Sequence, residues 1–233
     1  IMGLLFNARR TLRKWFRNAG FQRRIAPDFF EIIAEKRIDV VLDIGANDGG
    51  FGRDIRDRGY KGAIVSFEPN PVVFDRLTKA IRGDLLWSAH PFALGEIDGE
   101  AILYLAENDT MSSMKGLTTF GEKTGARVTG DVKVPIVRLD TFLAQNPALM
   151  KTVYLKIDTQ GFEMEILRGA GDKLDRISVV QAEISLVHTY ADEHDWLDIV
   201  SWIRHQGFEV ATAICNSTLG AQVREFDFVF MRR

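Results

Sequence analysis

One cysteine, Cys215, is all the chain contains, so no intramolecular disulfide can form and the fold does not rely on an oxidising compartment. No segment approaches the roughly 20 uninterrupted apolar residues that span a bilayer, so a soluble protein is expected, with the cytoplasm as its default place. Charge of one sign is scarce as well. Thirty Lys and Arg stand against 32 Asp and Glu, a net of -2, which argues against a nucleic-acid enzyme with a broad basic face. Internal repeats and low-complexity tracts are missing too. What is present, 46% hydrophobic residues in 233, suffices for one substantial core and fits one domain with an appendage.

The near-neutral total conceals an asymmetry. Arg9, Arg10, Arg13, Lys14, Arg17, Arg23 and Arg24 all precede the first acidic residue, Asp28; without those seven, 23 basic residues face 32 acidic ones, about -9. Leu4, Leu5, Ala8, Leu12, Trp15, Phe16 and Ala19 recur at helical spacing among the cations, and Gly20 can end the run. Residues 1–37 therefore read as a basic amphipathic helical segment ahead of a domain over 38–233. Such a helix suits peripheral contact with an anionic membrane, and equally a homo-oligomer contact or docking on its own domain. A short helix is expected after Pro27 and Asp28, running through Ile33.

From Val40 onward, short apolar runs alternate with helical stretches: strand 40–44, helix 51–58, strand 63–67, helix 71–81, strand 90–94. That order predicts an α/β fold with a mostly parallel, doubly wound sheet and helices on both faces. Between Glu96 and Asp140 the rhythm breaks. Ile102 and Tyr104, then Val132, Val134 and Ile136, alternate as antiparallel strands do, predicting a β-hairpin-like insertion around a mobile Gly/Ser/Thr-rich loop, 108–130. The α/β pattern then resumes with helix 139–145, strand 153–157, helix 163–168, strand 178–184, helix 194–206 and strands near 208–213 and 226–230.

The first turn, Asp43-Ile44-Gly45-Ala46-Asn47-Asp48-Gly49-Gly50, lies at the carboxyl end of the first strand, where nucleotide-type cofactors bind in such sheets. Gly45 would let the backbone approach a ligand, and Gly49 or Gly50 would ease entry to the helix. The G-x-G-x-x-G spacing of a dinucleotide site is absent and an acid precedes the first glycine. The Asp43 carboxylate would repel a pyrophosphate and attract the ammonium and sulfonium of S-adenosylmethionine (SAM). The same residues also suit a plain turn cap with glycines for helix–strand packing. Glu68, at the end of the second strand and 25 residues beyond Asp43, is placed to accept from both hydroxyls of a ribose, a group SAM and NAD share, or to sit solvated at a strand end.

Four blocks in order resemble the FkbM-type methyltransferase family: Val41 to Gly49; Phe67-Glu68-Pro69-Asn70; Ala93-Leu94-Gly95 with Asp98-Gly99; and Leu155-Lys156-Ile157-Asp158-Thr159-Gln160-Gly161-Phe162-Glu163. The resemblance covers roughly Val40 to Phe230. It implies a Rossmann-like class I SAM-dependent methyltransferase with a seven-stranded sheet whose last strand is antiparallel, acting on hydroxyls of sugars, lipids or polyketide-like natural products. It assigns the turn with Asp43, Gly45, Ala46, Asn47 and Gly49 to the methionine part of SAM. Glu68, beside Pro69 and Asn70, falls to the ribose, and Ala93-Leu94 to the adenine. Thr159-Gln160 departs from the pattern, in which an acid commonly precedes the glycine.

Lys156 and Asp158 share one side of a strand, with Asp158 at its end, where ligands of such sheets bind. Asp158 could orient an alcohol or take its proton, and Lys156 could offset developing charge or pair with Asp158. Alternatively the two form an ion pair that locks the strand end, and Glu163 is a first-turn helix acid. Glu183 ends the next strand and His188 follows five residues on, so both could reach the same pocket. Asp158, Glu183 and His188 could also hold Mg or Mn, although no spacing motif supports a metal. Met111-Ser112-Ser113-Met114 can line the mouth of the site or merely pack. The expected partner is a small-molecule, glycan or lipid-linked hydroxyl acceptor. Two other functions fit the residues: a nucleotide- or NAD-dependent enzyme on a related sheet, and a catalytically silent SAM-binding scaffold.

Overall fold

The computed structural model describes residues 27–123 and 125–233; the basic helix expected within 1–26 lies outside the described residues. Helix α1 (Phe29–Glu35) begins at Asp28, whose carboxylate accepts from the Phe30 amide while Glu31 reaches back to the Asp28 amide. This reciprocal pair satisfies backbone donors that a helix start leaves open. Although α1 falls in the segment expected as an appendage, Ile32 and Ile33 are buried with Val41, Ile55 and Tyr60 of the main body.

The elements that follow are β1 (Val40–Ile44), α2 (Gly50–Asp57), β2 (Ala63–Phe67), α3 (Pro71–Ala80), β3 (Trp87–His90), β4 (Ala93–Gly95), β5 (Gly99–Ala106), α4 (Thr119–Lys123) and β6 (Val128–Arg138). Then come α5 (Leu139–Gln145), β7 (Val153–Ile157), α6 (Glu163–Gly169), β8 (Ile177–Ser185), α7 (Trp196–His205), β9 (Phe208–Leu219) and β10 (Gln222–Arg232). Seven strands form the main sheet in the order β3-β2-β1-β7-β8-β10-β9. Pairing is parallel from β3 to β8, whereas β10 runs antiparallel to both its neighbours.

Alternation along buried strands explains the double winding. Leu42, Ile44, Val65, Phe67, Leu155 and Ile157 face one core with Phe142, Leu167 and Ile203 of α5, α6 and α7. The intervening Val41, Ile64 and Tyr154 face the other, with Ile33, Ile55 and Leu77 of α1, α2 and α3.

The single strand expected at 90–94 is two. β3 ends at His90, and β4 leaves the main sheet to pair with β6 in a second sheet ordered β4-β6-β5. Pro91 has no N–H to give a ladder, so pairing breaks there. The insertion is hairpin-like as expected, with β5 and β6 antiparallel. Of its two strands, Leu103, Val134 and Ile136 are buried, while Ile102 and Tyr104 are exposed. The segment between them, expected as a loop, holds a 3-10 turn (Asp109–Met111) and α4, and is tied back by bridges from Ser113 to Tyr104 and from Leu117 to Tyr190. β9 and β10 run longer than their apolar cores suggested, joined by a two-residue turn at Gly220 and Ala221. Among the described residues no helix is long and apolar enough to cross a membrane.

Candidate active site

At the carboxyl ends of β1, β2 and β7 lies a cleft of about 750 Å³, its open mouth included. The size suits a cofactor. Ile44, Phe67, Phe92, Leu94 and Leu103 give it apolar walls, and Ser112, Ser113 and Met114 of the insertion cover one side. Glu68 supplies a carboxylate to the wall. The Asn47 amide donates to its Oε2 at 2.9 Å and the Asn70 amide to its Oε1 at 2.8 Å. Each oxygen thus keeps one acceptor site, as two ribose hydroxyls require. Burial, only partly offset by those two amides, lifts the Glu68 pKa to about 7.

Beside the cleft a polar row crosses the sheet in register, Ser66 to Asp43 to Lys156. Trp87 Nε1 donates to Ser66 Oγ at 3.0 Å, Ser66 lies 3.4 Å from Asp43 Oδ2, and the Lys156 ammonium lies 3.5 Å from Asp43 Oδ1. Phe51 closes over Lys156, whose ammonium is 5.2 Å from the ring centre. Burial raises the Asp43 pKa against the pull of Lys156. For Lys156, burial works downward, but Asp158 and Asp43 more than reverse it and hold the ammonium protonated.

Lys156 also donates to Asp158 Oδ2 at 3.1 Å. The Asp158 side chain is 34% exposed and lines the cleft, with dense protein on its other sides. Burial favours its neutral form, yet Lys156 and hydrogen bonds from Glu183 and Gln160 leave its pKa lowered. Glu183 shows the opposite: burial, then the charges of Asp158 and Glu225, push it up to about 9, so it carries a proton at neutral pH. Between them Gln160 Nε2 reaches Asp158 Oδ1 at 3.4 Å and Glu183 Oε2 at 2.5 Å. The turn that carries Asp158 is pinned by buried Glu163, which accepts from the Thr159 and Gly161 amides and the Thr159 hydroxyl; burial lifts its pKa to about 7.

The sequence signature of the methyltransferase FkbM domain matches residues 43–210. The chain belongs to the FkbM methyltransferase family. It is therefore a SAM-dependent methyltransferase, which decides between the donor alternatives left open by the turn sequence. Methyltransferase 1 of Beauveria bassiana is 27% identical over 204 residues, 78% of this chain and 80% of that protein. The hexuronic acid methyltransferase AglP of Haloferax volcanii is 26% identical over 196 residues, covering 84% and 71%. At 13% identity, magnesium protoporphyrin IX methyltransferase (ChlM) from Synechocystis, solved with bound SAM, covers 96% of each chain with a TM-score of 0.49.

In this FkbM methyltransferase the cleft gathers Gly45, Asn47, Glu68, Pro69, Ala93, Leu94 and Asp158 from the residues singled out by sequence. Others stand behind it. Asp43 is fully buried and does not line the cleft; its carboxylate faces Lys156. Lys156 is also buried and does not line the cleft; its ammonium faces Asp43 and Asp158. Asn70 caps α3, Ala46 is buried in the core, and Gly49 sits at the start of α2. Gly45 is needed for packing: a Cβ there would lie 1.8 Å from the Asp158 carbonyl oxygen, and its φ is +76°. His188 is exposed and does not line the cleft, which removes it from the pocket and from a metal set with Asp158 and Glu183. Among the described residues no three or more His, Cys, Asp or Glu are grouped to hold a metal.

Tyr190, two residues further on, is the side chain from that loop that reaches the site, donating toward Gln160 Oε1 at 2.8 Å. It and Gln160 were missed as functional candidates. Only the departure of Gln160 from the family pattern signalled it, and nothing in the sequence marked Tyr190.

Proposed function

We propose that this methyltransferase transfers its methyl group to a hydroxyl of a sugar, glycolipid or related natural product. The observation that carries this is the ionised Asp158 carboxylate on the cleft wall, held by Lys156 and Gln160, since a carboxylate hydrogen-bonds a hydroxyl and can receive its proton. The Haloferax relative, named for a hexuronic acid, supports a sugar.

SAM, when bound, supplies an electrophilic methyl group on a sulfonium. Glu68 would accept from the ribose hydroxyls with the acceptor sites its backbone bonds leave free. Leu94 and Leu103, with Phe92, would enclose the adenine in apolar surface. Asp158, kept ionised by Lys156, would orient the acceptor hydroxyl and take its proton as the oxygen bonds the methyl carbon and the carbon–sulfur bond breaks, the neutral thioether leaving. Glu183 holds its own proton at neutral pH and keeps the second carboxyl from adding a charge.

The test is calorimetric binding of SAM and S-adenosylhomocysteine (SAH), with mass spectrometry of a panel of hydroxylated sugars and glycolipids. Asp158→Asn should keep SAH binding and lower turnover by about 10²- to 10⁴-fold. Tight SAH binding with no methylated product from any acceptor would replace this reading by a silent SAM-binding scaffold.

A further inference from the structure

Gln160 occupies an unusual position for its residue type. Its φ is +57°, in the left-handed region that costs a side-chain-bearing residue energy, and Gly161 follows at +91°. Such a conformation persists only where its surroundings hold it. Here every polar group of residue 160 beyond its own amide is engaged. The side-chain nitrogen donates to Asp158 and Glu183, the side-chain oxygen faces the Tyr190 hydroxyl, and the backbone carbonyl accepts from Ser113 Oγ at 2.6 Å. The amide nitrogen faces the two carboxyl groups and the amide oxygen faces the Tyr190 hydroxyl.

The partners fall into two sets. Asp158 and Glu183 belong to the main sheet, on β7's end and β8. Ser113 belongs to the insertion that covers the cleft, and Tyr190 is tied to it, because its hydroxyl also lies 3.1 Å from the Met111 carbonyl. That hydroxyl has one proton for two acceptors, so docking of the insertion and the hydrogen bonding of Gln160 draw on the same group.

We propose that Gln160 is a positioning residue that couples the seating of the 108–118 segment over the cleft to the geometry and proton distribution of the Asp158–Glu183 carboxyl pair. A neutral amide suits this role. It donates to both carboxyls at once, whereas a glutamate in its place would add a fifth acid to Asp158, Glu183 and the nearby Glu225 and Asp227 of β10. The charged and titratable groups facing Glu183 are Asp158, with Lys156 behind it, from β7; Glu225 and Asp227 from β10; and Tyr190 from the loop after β8; the neutral Asn216 of β9 donates to its Oε1 at 3.0 Å.

The inference rests on Asp158 and Glu183 forming the acceptor end of the site, yet its readouts need no acceptor. The full chain would be prepared as wild type, Gln160→Met, Gln160→Glu and Tyr190→Phe. Carboxyl-labelled glutamate would report the Glu183 titration by NMR, and hydrogen exchange would report residues 108–118. Loss of one charge-assisted donor should move the Glu183 titration upward by about one pH unit in Gln160→Met, and further in Gln160→Glu. Exchange in 108–118 should quicken by roughly tenfold in the same proteins. Tyr190→Phe, which leaves Gln160 intact, should change both readouts in the same sense. Should Gln160→Met fail to fold, Tyr190→Phe alone decides. Faster exchange with an unmoved Glu183 titration, or the reverse, would overturn the coupling. SAH binding measured alongside separates the two levels: a failed coupling with normal binding leaves the methyltransferase reading standing.

Discussion

Asp43 and Lys156 are register partners on adjacent parallel strands, and the Lys156 ammonium lies 3.5 Å from Asp43 Oδ1, an oxygen with no hydrogen-bond donor among the described residues. With Asp158 on its other side, Lys156 is a cation shared by two carboxylates. Its replacement by Met should leave Asp43 buried without a counter-charge and lower stability by about 3–5 kcal/mol, a fall on the order of 10 °C in Tm. Adding Asp43→Asn to Lys156→Met should recover much of that loss in a thermal melt. A double variant no more stable than the single one would show that the pair is not the source of the cost.

Glu68 predicts a pH dependence of donor binding. Its carboxyl, raised to about 7, must be ionised to accept from two ribose hydroxyls, so SAH affinity should rise as pH increases through about 7 and level off above it. Glu68→Ala should weaken binding by about ten- to a hundredfold and flatten the profile. A titration between pH 6 and 8 that shows no slope for the native protein would remove Glu68 from the donor site.

Stability without ligand should follow the opposite trend. Glu68 and Glu163 both titrate near 7 when folded and near 4.5 when unfolded. The folded chain then binds more protons across that window, and stability declines as pH rises from 4.5 to about 7. Asp84, Asp140 and Asp158, whose pKa values are lowered, act elsewhere: their contribution is present above 3.8 and is lost as pH falls below it. Chemical denaturation at pH 5.5 and 7.5 measures the first trend directly.

Gly45→Ala should damage the fold before it damages binding. The added methyl would meet the Asp158 carbonyl oxygen at 1.8 Å, a backbone atom that cannot swing aside, in a conformation that disfavours side chains. Gly116→Ala, with nothing within 4 Å, is the control expected to melt like the native protein. Equal melting temperatures for the two variants would contradict the packing role.

Arg76 of α3 pairs with Asp109 of the insertion, joining the two sides of the cleft's mouth at an exposed position. Arg76→Ala should leave the melting temperature unchanged and speed SAH dissociation in a stopped-flow chase, because surface pairs contribute little to folding but can restrain a covering segment.

Much of this was legible in the sequence because it depends on local pattern. Apolar runs such as Val40–Ile44 and Val153–Ile157 place strands to the residue, and Pro71 marks a helix start. What the sequence hid depends on register. Asp43 stands 113 residues before Lys156, and its ion-pair partner appears only once β1 and β7 are paired. Tyr190 and Gln160 meet through a loop whose course no periodicity encodes. The same holds for Glu163, whose three hydrogen bonds to its own turn are invisible in a residue that also suits a helix start.

The departure of β4 from the main sheet has a thermodynamic consequence. Ala93 packs with Leu103, Val134 and Ile136 in a small core of its own, while Leu94, its neighbour, joins the large one, so the floor beneath the expected adenine is a seam between two separately buried units. A donor seated on that seam touches both, and its binding free energy is added to their cohesion in proportion to occupancy. Saturation with SAH should therefore raise the melting temperature of the small sheet and of the body together.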